Sequence, residues 1–534
     1  MFRKMRRINR EISLDEYRVK KNILFTIATV IFFLLWVYII VLDFFFSGKS
    51  YNCKKGFILP NAALLIIAIA AVAAIFLLST RAEEKIQTIR IKRISVFLFF
   101  LQGYIFYNIQ FHTLSWDSYV VFGNAQIILS GQTESLDNLY FSIYPNNQLI
   151  LFLESVLLRI NKAVGVLDKD GFMFIVLVQC FLSALTGKLL FEIIEELTGK
   201  YRYAVTGWLL YVILIGLSGW NVVIYTDMLG LIFPLSVFRV WMKKKENNRK
   251  WLSWLAIFTL SFWGFKMKPT TIIVPIAILL AEISSLVSSI NKSRIKQILS
   301  ECAKWTGIGA ACLVISGLLF QACIKSTGLT VDKEKNLGIF HTIMMGLNSE
   351  SDGVYTHDDV EFSKGIEGKK ERTQAQIEVI KERLSDYGFV GLIEHLNRKS
   401  LVIFNDGTFA WGNEGGFYDV LYENKNDVIC PILKELYYNT GSNYIYFASV
   451  EQAVWIFVLF FSVGIIFAEK NKENFVIVLS LVGIVIFTFL FEARARYLIL
   501  YVPFFVIAAM LGINKTITFI NRQYDKGRLL RRKT

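Results

Sequence analysis

Five short polar motifs interrupt an otherwise apolar chain: Ser115-Trp116-Asp117-Ser118-Tyr119, Tyr144-Pro145-Asn146-Asn147, Tyr225-Thr226-Asp227, Lys266-Met267-Lys268-Pro269-Thr270 and Glu492-Ala493-Arg494-Ala495-Arg496-Tyr497. Each lies where an apolar run begins or ends. An ion at hydrocarbon depth costs roughly 2.5–3.5 kcal/mol on insertion scales, so charged residues in such places are functional candidates. Asp117 and Asp227 are carboxylates that could take a proton from a hydroxyl. Lys268, Arg494 and Arg496 are cations near headgroup level; arginine suits bidentate phosphate contact and lysine a point-charge contact. Moving a sugar off a phosphate ester needs one base and positive charge for the departing phosphate. Hydrolysing a glycoside would need a second carboxyl group as acid. Simpler roles compete: Asp117 is also a preferred helix N-cap, and Lys266 a snorkelling anchor.

The elements that must position these residues are membrane helices. Of 534 residues, 54% are hydrophobic and only 19% charged, too apolar for an ordinary soluble protein. Apolar runs lie at about 22–46, 57–79, 94–112, 171–196, 203–221, 226–242, 251–265, 269–290, 303–323, 450–467, 473–490 and 497–513, with a shorter one at 147–160. The first lacks a small-residue cleavage site and reads as a retained helix. The formal charge of +15 is spread between the runs, so it reads as a topology signal with both termini cytoplasmic, and not as a nucleic-acid surface. Counting crossings from both ends brings all the charged motifs to the outer face if residues 147–160 dip into the membrane without crossing. The expectation is an all-α multispanning protein of about 12 transmembrane helices and one re-entrant segment.

Four regions follow. Residues 1–90 form a two-helix extension. Residues 91–323 form a transmembrane core whose first outer loop, 113–146, carries Asp117. Residues 324–449 form one extracytoplasmic soluble loop domain, and 450–534 the last helices and a basic tail. In the first outer loop, Val121, Ala125 and Ile128 predict a short amphipathic helix ending at Gly131. Pro145 can begin a helix while Asn146 and Asn147 offer amides beside Tyr144. In the large loop, 374–386 and 391–404 read as helices either side of Gly388, followed by a turn at Asn405-Asp406-Gly407-Thr408. Asp406, Trp411 and Glu414 are candidates to meet an acceptor, with Trp411 able to stack on a sugar. The six cysteines show no disulfide or zinc spacing, and His112, five residues before Asp117, shows no ligand pattern.

In their order along the chain, Trp116-Asp117-Ser118-Tyr119, Tyr144-Pro145-Asn146-Asn147, Tyr225-Thr226-Asp227, Lys268-Pro269-Thr270 and Glu492-x-Arg494-x-Arg496-Tyr497 resemble the GT-C superfamily of integral membrane glycosyltransferases. The layout is similar to polyprenyl-phosphate-sugar-dependent enzymes of the protein-mannosyltransferase type, known as glycosyltransferase family 39. The resemblance covers roughly residues 90–512. It implies a polyprenyl-phosphate sugar donor, an envelope glycan, lipid or protein acceptor, and an active site on the outer face of a cell membrane; abundant Lys, Ile, Asn and Phe fit a bacterial chain. It implies Asp117 as the essential acid, and Arg494 or Arg496 on the donor phosphate beside Glu492. Asp227 would shape the site or bind a divalent cation such as magnesium or manganese. Ser118 stands where the family often has a second acidic residue, and the first two helices look like an addition. A flippase for lipid-linked sugars or a polysaccharide polymerase could use the same cations. The large outer loop and the lack of an evident internal repeat favour an enzyme over a transporter.

Overall fold

The computed structural model describes residues 23–46, 56–83, 91–109, 116–165, 171–244, 250–287, 295–414, 426 and 428–531. Among them every regular element is helical. Eight helices are long and apolar enough to cross a membrane: Ile23–Phe45, Asn61–Ser79, Phe172–Thr198, Pro269–Val287, Leu299–Lys325, Tyr444–Phe467, Lys472–Leu490 and Ala495–Asn521. Arg93–Ile109 and Tyr201–Gly216 are apolar but shorter. The expected run 226–242 is divided into Thr226–Gly230 and Ile232–Lys243. Pro234 explains the break, because its ring lacks an N–H and clashes with the carbonyl four residues earlier. Gln148–Val164 has 17 residues, about 25 Å at 1.5 Å per residue, short of the roughly 30 Å hydrocarbon core.

The helices sort by exposure. In Ala495–Asn521, 89% of the most apolar stretch is buried inside the protein, whereas in Leu299–Lys325 only 17% is, and in the first two helices 28%. Helices apolar on all sides yet exposed fit a hydrocarbon solvent, and the last helix is the most enclosed of the eight. Its close approach to a neighbour depends on small residues. A Cβ on Gly512 would lie 2.2 Å from the Phe461 carbonyl oxygen, and one on Gly464 2.7 Å from the Gly512 Cα. Small residues at such crossings let backbones meet where no hydrophobic effect drives helix association.

The long stretch after residue 325 is helical too. Gly338–Gly346, His357–Lys364 and Lys369–Phe404 follow in order, the last bent at Gly388, whose φ is 53°. This matches the expected two helices either side of that glycine. Tyr38 on the first membrane helix donates to the Asn397 side chain at 2.6 Å, so this region is tied to the bundle. The expected loop helix after Asp117 is Trp116–Ser130, with Val121, Ala125 and Ile128 buried. Cys53, His112 and Ser115 lie outside the described residues, and Cys430 is a buried free thiol.

Candidate functional site

A polar clamp inside the bundle sets the position of the Tyr225 motif. The helix Tyr201–Tyr211 runs on into a π-turn at Val212–Gly216, which frees carbonyls at its end. Gln102 donates to the Gly216 carbonyl at 2.7 Å, and Asn221 to that of Ile215 at 2.6 Å. Gln179 then holds the following strand-like segment from both sides of its amide. Its Nε2 donates to the Asn221 and Val223 carbonyls, and its Oε1 accepts from the Tyr225 amide at 3.3 Å. Gln179, bonded through both ends of its buried amide, fixes the course of this segment, which delivers Tyr225 and Asp227 to the same end of the bundle as Asp117.

Asp117 stands in the first turn of its helix, where a carboxylate suits the N-terminal dipole. Both its oxygens accept from phenols, Oδ1 from Tyr140 at 2.6 Å and Oδ2 from Tyr225 at 3.0 Å. Asn147 links the two phenols: its Nδ2 donates to the Tyr140 oxygen at 2.6 Å, and its Oδ1 lies 2.9 Å from the Tyr225 hydroxyl, whose single proton it shares with Asp117. Asn146 donates to Asn147 at 3.0 Å. Burial first, and the Asp117 charge second, push the Tyr140 and Tyr225 phenols up, so both remain donors. Asp117 itself is half-buried and Asn146 exposed, so the carboxylate stands at an accessible edge. Tyr144 packs beside Tyr140, with ring centroids 5.2 Å apart.

The cations form a ladder of buried ion pairs. Lys268 contacts Asp227 and lies 4.7 Å from the Tyr497 ring centroid. Arg496 reaches Asp227 at 3.8 Å through Nη1 and Glu414 at 3.1 Å through Nε. Arg494 meets the same Glu414 oxygen at 3.7 Å and Glu492 at 2.9 Å. Tyr497 donates to the other Glu492 oxygen at 2.9 Å. Burial pushes the Glu492 carboxyl up, but the charges of Arg494 and Arg496 with the Tyr497 bond outweigh it and hold the group below its ordinary value. Arg496 also closes the gap to the first cluster, its guanidinium lying 4.3 Å from the Trp116 ring centroid. Trp116 in turn packs edge-on against Tyr225. Although ion-paired, Arg496 Nε and Nη1 and Asp227 Oδ2 make no aligned hydrogen bond.

Not every expected site residue is available for a ligand. Asp406 is buried, and its oxygens accept from the Thr408 and Ala410 amides of its own turn at 2.8 and 2.9 Å. Phe409 and Ala410 both have left-handed backbone, with φ of 54° and 62°, so Asp406 holds a strained turn closed. Trp411, expected to stack on a sugar, is fully buried, donates to the Tyr437 carbonyl at 2.8 Å and packs on Trp220. Its ring fills the space a side chain at Gly219 would need, a Cβ there falling 2.2 Å away. Both residues therefore build the turn, which carries Glu414 to the arginines. Lys266 lies beside the Phe320 ring at 4.5 Å, as a membrane-edge anchor does.

Two positioning groups escape the sequence reading. Tyr140 lies in an aromatic stretch that resembles an interfacial belt. Lys399, on a long polar helix, turns inward and donates to the carbonyls of Gly346, Phe489 and Phe491 at 2.8, 2.9 and 2.5 Å. A cation there caps the C-terminal end of Lys472–Leu490 and fixes where the chain turns into Glu492-Ala493-Arg494. Burial pushes the Lys399 ammonium down to about 7. Among the described residues no group of three or more His, Cys, Asp or Glu side chains could hold a metal. Asp227 is moreover engaged by two cations, so the residues present do not fit a divalent ion.

No curated protein and no solved structure matches the chain. Over residues 24–517 it matches the family described as conserved hypothetical integral membrane protein, and it belongs to that family.

Proposed function

We propose that this chain is a glycosyltransferase of the GT-C type, moving one sugar from a polyprenyl-phosphate donor to an acceptor on the outer side of the membrane. The observation that carries the reading is Arg496, a buried guanidinium whose Nε and Nη1 are ion-paired with carboxylates yet make no aligned hydrogen bond, positioned between the ion-pair ladder and the Asp117 cluster. A buried donor left without an aligned acceptor costs up to about 1–3 kcal/mol, and a phosphate oxygen in line with it would relieve that cost.

In this mechanism the donor phosphate lies against Arg494 and Arg496, with Lys268 behind them. The acceptor hydroxyl hydrogen-bonds to the exposed edge of Asp117. Its oxygen attacks the anomeric carbon as its proton passes to Asp117; the bond from that carbon to the phosphate oxygen breaks, and the arginines take up the charge. Attack opposite the phosphate inverts the anomeric centre. Tyr140, Tyr225 and Asn147 orient the base, and Asp227 holds Lys268 and Arg496 in place. The test is transfer of labelled sugar from a panel of polyprenyl-phosphate sugars to membrane-extract acceptors, comparing wild type with Asp117→Asn. Product that requires the carboxylate supports the reading. Lipid-linked sugar crossing vesicles with no product from any donor would replace it with a flippase.

A further inference from the structure

Six charged side chains meet in the ladder, Lys268, Arg494 and Arg496 against Asp227, Glu414 and Glu492, and they cancel. An anion added to this balanced set would leave an unpaired buried charge, which is costly. One carboxylate must therefore give way. Asp227 is in contact with both Lys268 and Arg496. Glu492 has both oxygens engaged, by Arg494 and by Tyr497 at 2.9 Å each. Glu414 is held differently. Its ion-pair contacts, at 3.1 and 3.7 Å, both run through Oε2, and its backbone amide is anchored separately to the Ala410 carbonyl at 3.0 Å. The turn is therefore anchored independently of the side chain's ion pairs.

We propose that Glu414 is an internal occupant of the phosphate position between Arg494 and Arg496, displaced by a ligand carrying a single negative charge. This rests on the reading of the arginines as the donor-phosphate site. Exchange of one carboxylate for one phosphodiester keeps the balance, three cations against Asp227, Glu492 and the ligand. A diphosphate brings a second charge that no cation of the set is left to meet. Glu414 thus makes the site selective for sugars linked through one phosphate, and it fills the arginine pair when no donor is bound.

The full-length protein in lipid nanodiscs would be titrated with citronellyl methyl phosphate, which carries one charge, and citronellyl methyl diphosphate, which carries two. Wild type is expected to bind the monophosphate about tenfold more tightly, despite its smaller charge. Glu414→Gln removes the competing carboxylate, so it should bind the monophosphate about tenfold more tightly than wild type and gain diphosphate binding. Arg494→Gln should lose both. If binding depends on Arg494 but Glu414→Gln leaves it unchanged or weakens it, the Glu414 proposal fails while the donor site stands. A wild-type preference for the diphosphate also overturns the proposal, and it needs no variant to fold. Binding by no form would overturn the donor reading together with this one.

Discussion

The Asp117 cluster and the arginine ladder lie side by side, joined by the Arg496–Trp116 contact, yet they are built on opposite rules. Around Asp117 there is one charge and a set of neutral partners, and the bonds are short: both carboxylate oxygens accept, and Asn147 links both phenols. In the ladder the charges balance, but two of the five contacts exceed 3.5 Å, and Arg496 and Asp227 retain unaligned polar atoms. A fully bonded network holds one geometry, whereas a balanced but loosely bonded one can exchange a partner. The first arrangement suits a base that must stay oriented. The second suits a site that must admit and release an anion.

The largest effect expected is on the chemistry of the first cluster. Asp117→Asn keeps a similar shape but removes the proposed base, so the proposed sugar transfer should fall by about 10²–10⁴-fold, measured as initial rate, while donor binding persists. Loss of binding as well would erase the distinction between the two regions. Arg496→Met tests the second region. It leaves Asp227 and Glu414 short of a cation, and breaking a buried pair in this way should cost about 3–5 kcal/mol, read by denaturant unfolding in detergent. A smaller cost would mean that the ladder is more hydrated than its burial indicates.

Tyr140→Phe and Tyr225→Phe each remove one bond to the Asp117 charge, which should lower transfer by roughly 1.5–3 kcal/mol of barrier without changing donor affinity. The ladder should also respond to acid. Because Glu492 is held below its ordinary value of 4.5, it contributes stability above that pH and loses it as pH falls through the depressed folded value. Unfolding titrations below pH 4.5 should show this slope, and Glu492→Gln should flatten it. The smallest effect belongs to an exposed pair. Arg398 and Asp352 lie 2.7 Å apart, but the arginine side chain is 44% exposed. Arg398→Ala should cost about 1 kcal/mol or less, which sets the scale for the buried pairs.

The long stretch after residue 325 shows how far local pattern reaches. Helices either side of Gly388 and the turn at Asn405-Asp406-Gly407-Thr408 follow from periodicity and turn chemistry, because neighbours along the chain determine them. Trp411 shows where that reach ends. Its type suits stacking on a sugar, but Gly219, nearly 200 residues earlier, leaves the hole that its ring fills. Lys399 was equally hidden, since a lysine on a polar helix looks solvated until three carbonyls from two distant segments converge on it.

By itself the sequence determined that this is a helical membrane protein whose charged motifs sit at the ends of apolar runs. Hydropathy adds up locally, and a stray ion in hydrocarbon costs too much to leave unexplained. Only the tertiary structure decided which carboxylate meets which cation, that Glu414 and not Asp406 or Trp411 reaches the arginines, and that Tyr140 and Tyr225 hold Asp117. Those pairings reach as far as Asp227 and Arg496, in opposite halves of the chain. They are set by how helices cross, at contacts as close as Gly464 against Gly512, and not by anything a neighbouring residue can signal.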